Sequence, residues 1–286
     1  MRSSRDGESE ISPVDRVTTN TRSLNEQHKF LLDVVDGAID RDVPLENISA
    51  VADVATGTGI WLWDAKQILD QKAGESSSRY YHGFDISAAQ FPSTSHGITL
   101  SVQDVFQPFP AGFLDGFDLV HVRLMVTAFP EGKFQEAVEN VLTIVKPGGY
   151  LQWVEIDFSA VEAQTEHDAR VAPGANYWMR FVDRNQMSRC APDALFDAFK
   201  NTGLLNVTKK PFLIRGRDEL RERAQSWQMQ FFSGIMPLVL IRLGEAVDME
   251  EAARMAEPIR QDLENYFADG DVIDTRFGTV VGQKPL

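Results

Sequence analysis

The sequence predicts an α/β fold: a Rossmann-like doubly wound, mostly parallel seven-stranded sheet with helical insertions forming a cover. Three observations predict it. Short apolar runs alternate with segments of helical period through the first 158 residues, the first run ends in a small-residue turn that opens a helix, and two further strand-like runs bracket a long helical stretch near the C-terminus. With 286 residues and 43% hydrophobic content, the chain can bury one large core or two small ones.

Residues 1–21 are rich in Ser, Arg, Asp, Glu and Thr without apolar period, and read as a mobile tail. From Asn25 to Ala38 the residues Phe30, Leu31, Val34, Val35 and Ala38 recur at three and four, predicting an amphipathic helix. Ala50 to Ala55 reads as the first strand, and Ile60 to Leu69 as the helix after it. Four more strands are expected at Tyr80–Ile86, Thr99–Val105, Phe117–Val122 and Tyr150–Phe158. Phe134 to Val145 gathers Phe134, Val138, Val141, Leu142 and Val145 on one helix face, with Lys146-Pro147-Gly148-Gly149 as its stop. Glu166 to Gly203 reads as mainly helical, Leu205–Ile214 as a sixth strand and Gly278–Gly282 as the last. Between those two strands, about 218–267 is a helical insertion, either a cover over a binding site or a helical pair that caps the sheet.

Composition narrows the function classes. Lys and Arg total 28 against 42 Asp and Glu, a formal charge of -14 that repels phosphodiester backbones and anionic membranes, so neither nucleic acid nor a lipid surface is an expected partner. Cys190 is the single cysteine, which excludes an intramolecular disulfide and a cysteine-cluster zinc site; no metal is expected. No apolar stretch approaches the roughly 20 residues of a membrane span, and residues 1–28 lack a signal-peptide core, so the expected location is cytoplasmic.

The segment Val51-Ala52-Asp53-Val54-Ala55-Thr56-Gly57-Thr58-Gly59-Ile60 places two glycines where a strand gives way to a helix. Without side chains there, backbone N–H groups and the helix start can approach a polar or anionic ligand closely. A phosphate-binding P-loop is excluded by the missing Gly-Lys-Ser/Thr ending, and a dinucleotide fingerprint by Ala55 and Leu62 at the outer glycine positions. Taken alone, the turn could be purely structural. Asp85 and Asp104, however, close the next two strands, and three such strand ends share the carboxyl edge, where open parallel sheets bind ligands. Either acid could also serve as a cap or loop solvator.

These residues resemble the class I S-adenosylmethionine-dependent methyltransferases over about residues 50–158. Asp53 to Gly59 is similar to their first motif, Phe84-Asp85-Ile86-Ser87 to the second, Gln103-Asp104-Val105 to the third, Phe117-Asp118-Leu119-Val120-His121 to the fourth, and Val145 to Gly149 to the turn before the fifth strand. Thr56 to Trp61, His121-Val122-Arg123 and Val281 to Pro285 bring it nearest to fungal specialised-metabolite and velvet-complex-type methyltransferases. Ala55 departs from the family's first glycine. The resemblance implies S-adenosyl-L-methionine as cofactor, with Asp53, Ala55, Thr56, Gly57 and Gly59 at its methionine end, Asp85 at the ribose, Ile86 on the adenine face, and Asp104 with Val105 at the adenine edge. It puts His121 after the fourth strand, beside the sulfonium. It also divides one domain, residues 22–286, into a cofactor half (22–158) and a substrate half (159–286).

In-line methyl transfer needs alignment more than a base, since well-held reactants can account for roughly 7–11 kcal/mol of barrier. For an acceptor that must lose a proton, His121 is the candidate base; the other reading is a histidine that only hydrogen-bonds the cofactor or the sheet edge. His28 could fold over the cofactor mouth or be a solvated surface residue, with solvation the favoured expectation. Glu155 and Asp157 could meet a polar substrate group or be loop acids. Tyr177, Trp178, Trp227 and Phe231 are core residues by periodicity, or else the walls of an apolar acceptor pocket with adaptable methionines. The expected activity is methylation of a small, largely apolar organic metabolite, at oxygen rather than nitrogen. The rivals are a cyclase or pericyclase that keeps the cofactor, and a regulatory binding protein; the oligomeric state is open.

Overall fold

The computed structural model describes residues 21–73, 79–94, 96–161 and 171–286. Residues 1–20, most of the expected tail, lie outside the described residues, as do 162–170, which include the first five positions of the stretch read as helical from Glu166. Seven strands form one sheet: β1 (Ala50–Val54), β2 (Tyr80–Asp85), β3 (Thr99–Val102), β4 (Phe117–Arg123), β5 (Val145–Asp157), β6 (Leu205–Leu213) and β7 (Arg276–Gln283). Their order is β3-β2-β1-β4-β5-β7-β6. The first five run parallel, and β7 enters antiparallel to both β5 and β6. Strand order therefore reverses between β1 and β4, a switch point at whose carboxyl edge a crevice opens.

The long helices are α1 (Thr21–Val34), α2 (Ile60–Ala73), α3 (Phe134–Leu142), α4 (Ala175–Arg184), α5 (Ala191–Asn201), α6 (Arg221–Leu243) and α7 (Met249–Ala268). Central strand β1 is buried along its whole length, as expected of a parallel strand covered on both faces. Its Val51, with Leu119 of β4, packs toward Trp61, Leu62, Ala65 and Leu69 of α2. Ala52, Val54, Val120 and Val122 face the opposite side, in the cluster that holds Phe134, Val138 and Val141 of α3.

Several boundaries differ from expectation. Helix α1 ends at Val34, four residues early, because Asp36 and Gly37 turn left-handed and the Gly37 amide donates back to the Leu32 carbonyl. Strand β3 stops at Val102, since the Asp104 carboxylate accepts from the Phe106 amide and turns the chain. Lys146 to Gly149 does not precede the fifth strand but lies inside β5, whose pairing with β4 shifts register between Phe117 and Leu119. The end of α3 is closed instead by Lys284, whose ammonium donates to the carbonyls of Leu142 and Val145. The insertion at 218–267 is largely a pair of packed helices, α6 and α7, with Gly244 in the left-handed conformation ending the first.

Candidate active site

The glycine turn hangs from the carboxyl end of β1 and is held by its neighbours. Gly57 and Gly59 both have positive φ, at +56° and +75°. Ala55 sits at φ +59°, in the left-handed region that the missing glycine would occupy without cost. The Thr56 amide donates to the Phe84 carbonyl, and the Thr56 hydroxyl donates to Asp53 Oδ2 at 2.7 Å. Gly83 makes room for this: a Cβ there would lie 2.8 Å from the Thr56 side chain.

Asp85 ends β2, and its carboxylate accepts from the amides of Gly57 at 2.8 Å and Ser87 at 3.1 Å. Burial pushes its carboxyl above the ordinary range, opposed by those two amides. Each carboxylate oxygen has a second lone pair, so the acid remains able to accept from hydroxyl groups. Ile86 comes next, with 38% of its surface exposed. Asp104 is half-buried in the loop after β3 and not on the strand itself, and Val105 beside it is buried. The chemistry of this donor set suits an adenosyl compound: an acid at the ribose position, an exposed apolar face, a second acid farther along, and an exposed-backbone turn at the helix start.

The structure corrects several expected roles. Asp53 is 1% exposed and spends both carboxylate oxygens on Thr56 and His121, so it shapes the turn and does not face a ligand. His121 lies within β4 and not after it, directly opposite Asp53 in the strand register. Its Nδ1–H donates to Asp53 Oδ1 at 2.7 Å, and its ring lies on the Trp61 indole at 3.8 Å and 3°. Burial holds this imidazole below its ordinary pKa, against the pull of Asp53, so it is neutral at pH 7. His28 is not solvated: it is 1% exposed, accepts from Arg123 at Nδ1 and donates from Nε2 to Asp64 at 2.8 Å. Burial, followed by the Arg123 charge, lowers it to about 4. Glu155 is fully buried in β5 and not at a loop, and it accepts from the amides of Met125 and Val126 and from the Trp153 indole. Neither His28 nor Glu155 has the freedom a direct substrate ligand needs.

Helix α1 covers the turn. The Thr58 hydroxyl donates to Asn25 Oδ1 at 2.9 Å, and Leu24 is the side chain nearest the space beside Gly57. Asn25, Asp64, Trp61 and Arg123 have no assigned role from sequence; Trp61 and Arg123 stand within segments that carry the family resemblance, whereas nothing marks Asn25 or Asp64.

Three of the four downstream aromatics, Trp178, Trp227 and Phe231, belong to one ring network, while Tyr177 packs against the same core beneath Arg180. Trp178 of α4 meets Phe158, just past the end of β5, at 5.4 Å and Phe231 at 5.1 Å. Trp227 stacks on Phe231 at 6.0 Å and on Phe30 of α1 at 5.4 Å. Trp178 and Trp227 are buried; Tyr177 and Phe231 are half-buried. The Trp178 indole N–H, although buried, finds no acceptor among the described residues. A separate cleft of about 200 Å³ lies between α6 and α7, lined by Phe232, Met236, Ala256, Ile259 and Leu263, and contains none of the strand-end residues. Among the described residues no cluster of potential metal ligands occurs, and no helix is long and apolar enough to cross a membrane.

The chain matches no protein-family model. It is similar to the methyltransferase grgD of a Penicillium species, with 29% identity over 266 residues, covering 91% of this chain and 92% of that protein. It is similar also to the N-methyltransferase verN of Clonostachys rogersoniana, with 23% identity over 257 residues, or 85% and 84% of the two chains. Among solved structures it is similar to a Haemonchus contortus phosphoethanolamine N-methyltransferase in complex with phosphomonomethylethanolamine and S-adenosylhomocysteine. The TM-score is 0.53 at 13% identity, covering 96% of this chain and about 60% of the length of that one. At that identity the likeness is one of fold. Sheet order and motif order are those of the class I S-adenosylmethionine-dependent methyltransferases, and near full-length similarity to a fungal methyltransferase supports an enzyme with that cofactor. Both of these sequence relatives are fungal proteins.

Proposed function

We propose that the chain transfers the methyl group of S-adenosylmethionine to a small, largely apolar organic metabolite, with residues 22–158 holding the cofactor and 159–286 the acceptor. When bound, the sulfonium supplies an electrophilic methyl group. Asp85 accepts from the ribose hydroxyls, Ile86 packs on the adenine, Asp104 and Val105 sit at its amino edge, and the Ala55 to Gly59 backbone faces the methionine end. Asp53 and His121 in the sheet, with Trp61 of α2 stacked on His121, act one step back: they fix the turn from behind. Helix α1 closes over the turn and keeps water out, which favours a displacement between held partners.

The observation that carries the acceptor side is the aromatic network at the carboxyl edge together with the orphaned Trp178 indole N–H. A buried donor that has no partner among the described residues is costly, and a carbonyl or ether oxygen on an aromatic acceptor would satisfy it. In place of the expected oxygen, we take nitrogen as the acceptor atom. His121, the candidate base for an acceptor that must lose a proton, is sealed beneath Trp61; a neutral amine nitrogen attacks through its own lone pair and loses its proton to solvent when the product leaves. The relative verN carries an N-methyltransferase name. Retention of the cofactor for a cyclisation, or a purely regulatory role, gains no support from any feature of the site.

The test is a screen of aromatic amines, amides, phenols and carboxylates with S-adenosylmethionine labelled in the methyl group. Labelled product from nitrogen acceptors supports this reading. Transfer confined to oxygen acceptors would overturn the choice of atom, and consumption of acceptor without label would point to rearrangement.

A further inference from the structure

The post-β4 loop and Glu155 form an arrangement that methyl transfer itself does not require. Strand β4 ends at Arg123, and Leu124 then takes φ +57°, a left-handed conformation costly for a branched side chain. Hydrogen bonds from the next two residues keep the turn in place. The amides of Met125 and Val126 both point into the sheet and donate to the two oxygens of Glu155, and the Trp153 indole donates to Oε1 of the same carboxylate at 3.0 Å. The Leu124 amide donates to the Val154 carbonyl. Val126 is buried, while Leu124 and Met125 are half-buried against the same core.

This loop borders the site. Val122 of β4 pairs with Val54 of β1, the last strand residue before the glycine turn, so residues 124–126 leave the sheet beside that turn. We propose that Glu155 is a positioning residue: it latches the loop Leu124–Val126 to the sheet, and release of the latch opens the acceptor side of the site. The inference rests on the proposed function only for what the loop borders; the latch stands on the hydrogen bonds alone.

The surroundings of Glu155 give the latch its trigger. Burial pushes its carboxyl up to about 7, against the opposing hydrogen bonds from Trp153, Met125, Val126 and the Ile156 amide. Ionisable neighbours on the packed elements are directed elsewhere. Arg123 of β4 donates to His28, Asp157 farther along β5 accepts from the Ser159 amide, and β7 places Gly278 opposite Glu155 and Arg276 opposite Asp157. Among the described residues no ion pair reaches Glu155. An opened loop returns the carboxyl to water and to its ordinary range. The closed loop therefore binds the proton more tightly than the open one, so closure is favoured below that range and weakens as pH rises through about 7.

The test is hydrogen exchange at the amides of residues 124–127 in the full chain at pH 6 and pH 8, corrected for the intrinsic exchange rate, in wild type and Glu155→Gln. For a closed-state value near 7 and an ordinary open-state value, opening in the wild type is about tenfold more frequent at pH 8 than at pH 6. Glu155→Gln removes the ionisation and leaves one acceptor oxygen for the loop amides, so its opening no longer depends on pH. Equal corrected protection at the two pH values in the wild type would overturn the latch even if the variant did not fold, and an unchanged pH dependence in the variant would overturn it as well. Calorimetry with S-adenosylhomocysteine on the same samples separates the two readings: absence of heat would strike the cofactor assignment and leave the latch standing.

Discussion

The Gly57 amide donates to the Asp85 carboxylate at 2.8 Å, so the turn after β1 and the acid at the end of β2 form one unit. Each sets the position of the other at the switch point, and a ligand that engages Asp85 meets a turn already in place. Asp85→Ala removes both the proposed ribose acceptor and this tie. The wild type gains about 2.7 kcal/mol from S-adenosylhomocysteine at a hundredfold excess over Kd, and the variant loses most of that gain. Thermal unfolding with and without ligand checks it; an undiminished shift in the variant excludes Asp85 from the binding site.

Ala55 holds a conformation that costs an L-residue roughly 1–2 kcal/mol. Ala55→Gly relieves that strain while adding backbone freedom to the unfolded chain, an opposing effect of about 0.4–1 kcal/mol. The expected outcome is a urea midpoint raised by the equivalent of about 0.5–1 kcal/mol with cofactor binding retained. A lower midpoint would show that the Cβ packs usefully.

Removing the His121 ring leaves Asp53 buried without one of its two donors and a void beneath Trp61. His121→Ala should cost about 2–4 kcal/mol of stability. Because His121 positions the turn, His121→Asn, whose amide can still donate to Asp53, should recover much of the loss and sustain methyl transfer. Turnover abolished in a folded His121→Asn with normal cofactor affinity would instead make the imidazole the base.

Stability should fall on acidification. Burial holds His28 and His82 at about 4 and lowers His121, so the unfolded chain takes up more protons than the folded one from about pH 6.5 downward. These contributions are complete above that value and are lost as pH falls toward the folded values; Glu155, raised to about 7, works in the opposite direction. Urea unfolding at pH 7.5 and 5.5 checks the net sign, at about 1.4 kcal/mol per pH unit for each extra proton taken up. A His28→Asn, His82→Asn double variant should flatten the slope, and an equally steep slope would contradict the assignment.

Local features carried the fold and the cofactor edge into the sequence. The apolar run at Ala50–Val54, the turn at Gly57 and Gly59, and Asp85 at its strand end are all read from adjacent residues and period. What could not be read depends on register and long-range packing. That Asp53 faces His121 is a property of the β1–β4 pairing across 68 positions, and it turns two apparent ligand residues into a sealed pair. His28 was expected in solvent, but Arg123 and Asp64, both distant in sequence, hydrogen-bond its two ring nitrogens in a buried setting. Glu155 reads as a loop acid until the N–H donors of Met125, Val126 and Trp153 are brought together.

The central claim is that an adenosyl sulfonium compound binds along the ends of β1 and β2. Isothermal titration calorimetry of the folded full chain with S-adenosylmethionine, S-adenosylhomocysteine and NAD tests it most directly. The account predicts saturable heat from the first two, none from NAD, and loss of both signals in Asp85→Ala; no heat from either sulfur compound, or a response to NAD alone, would contradict it.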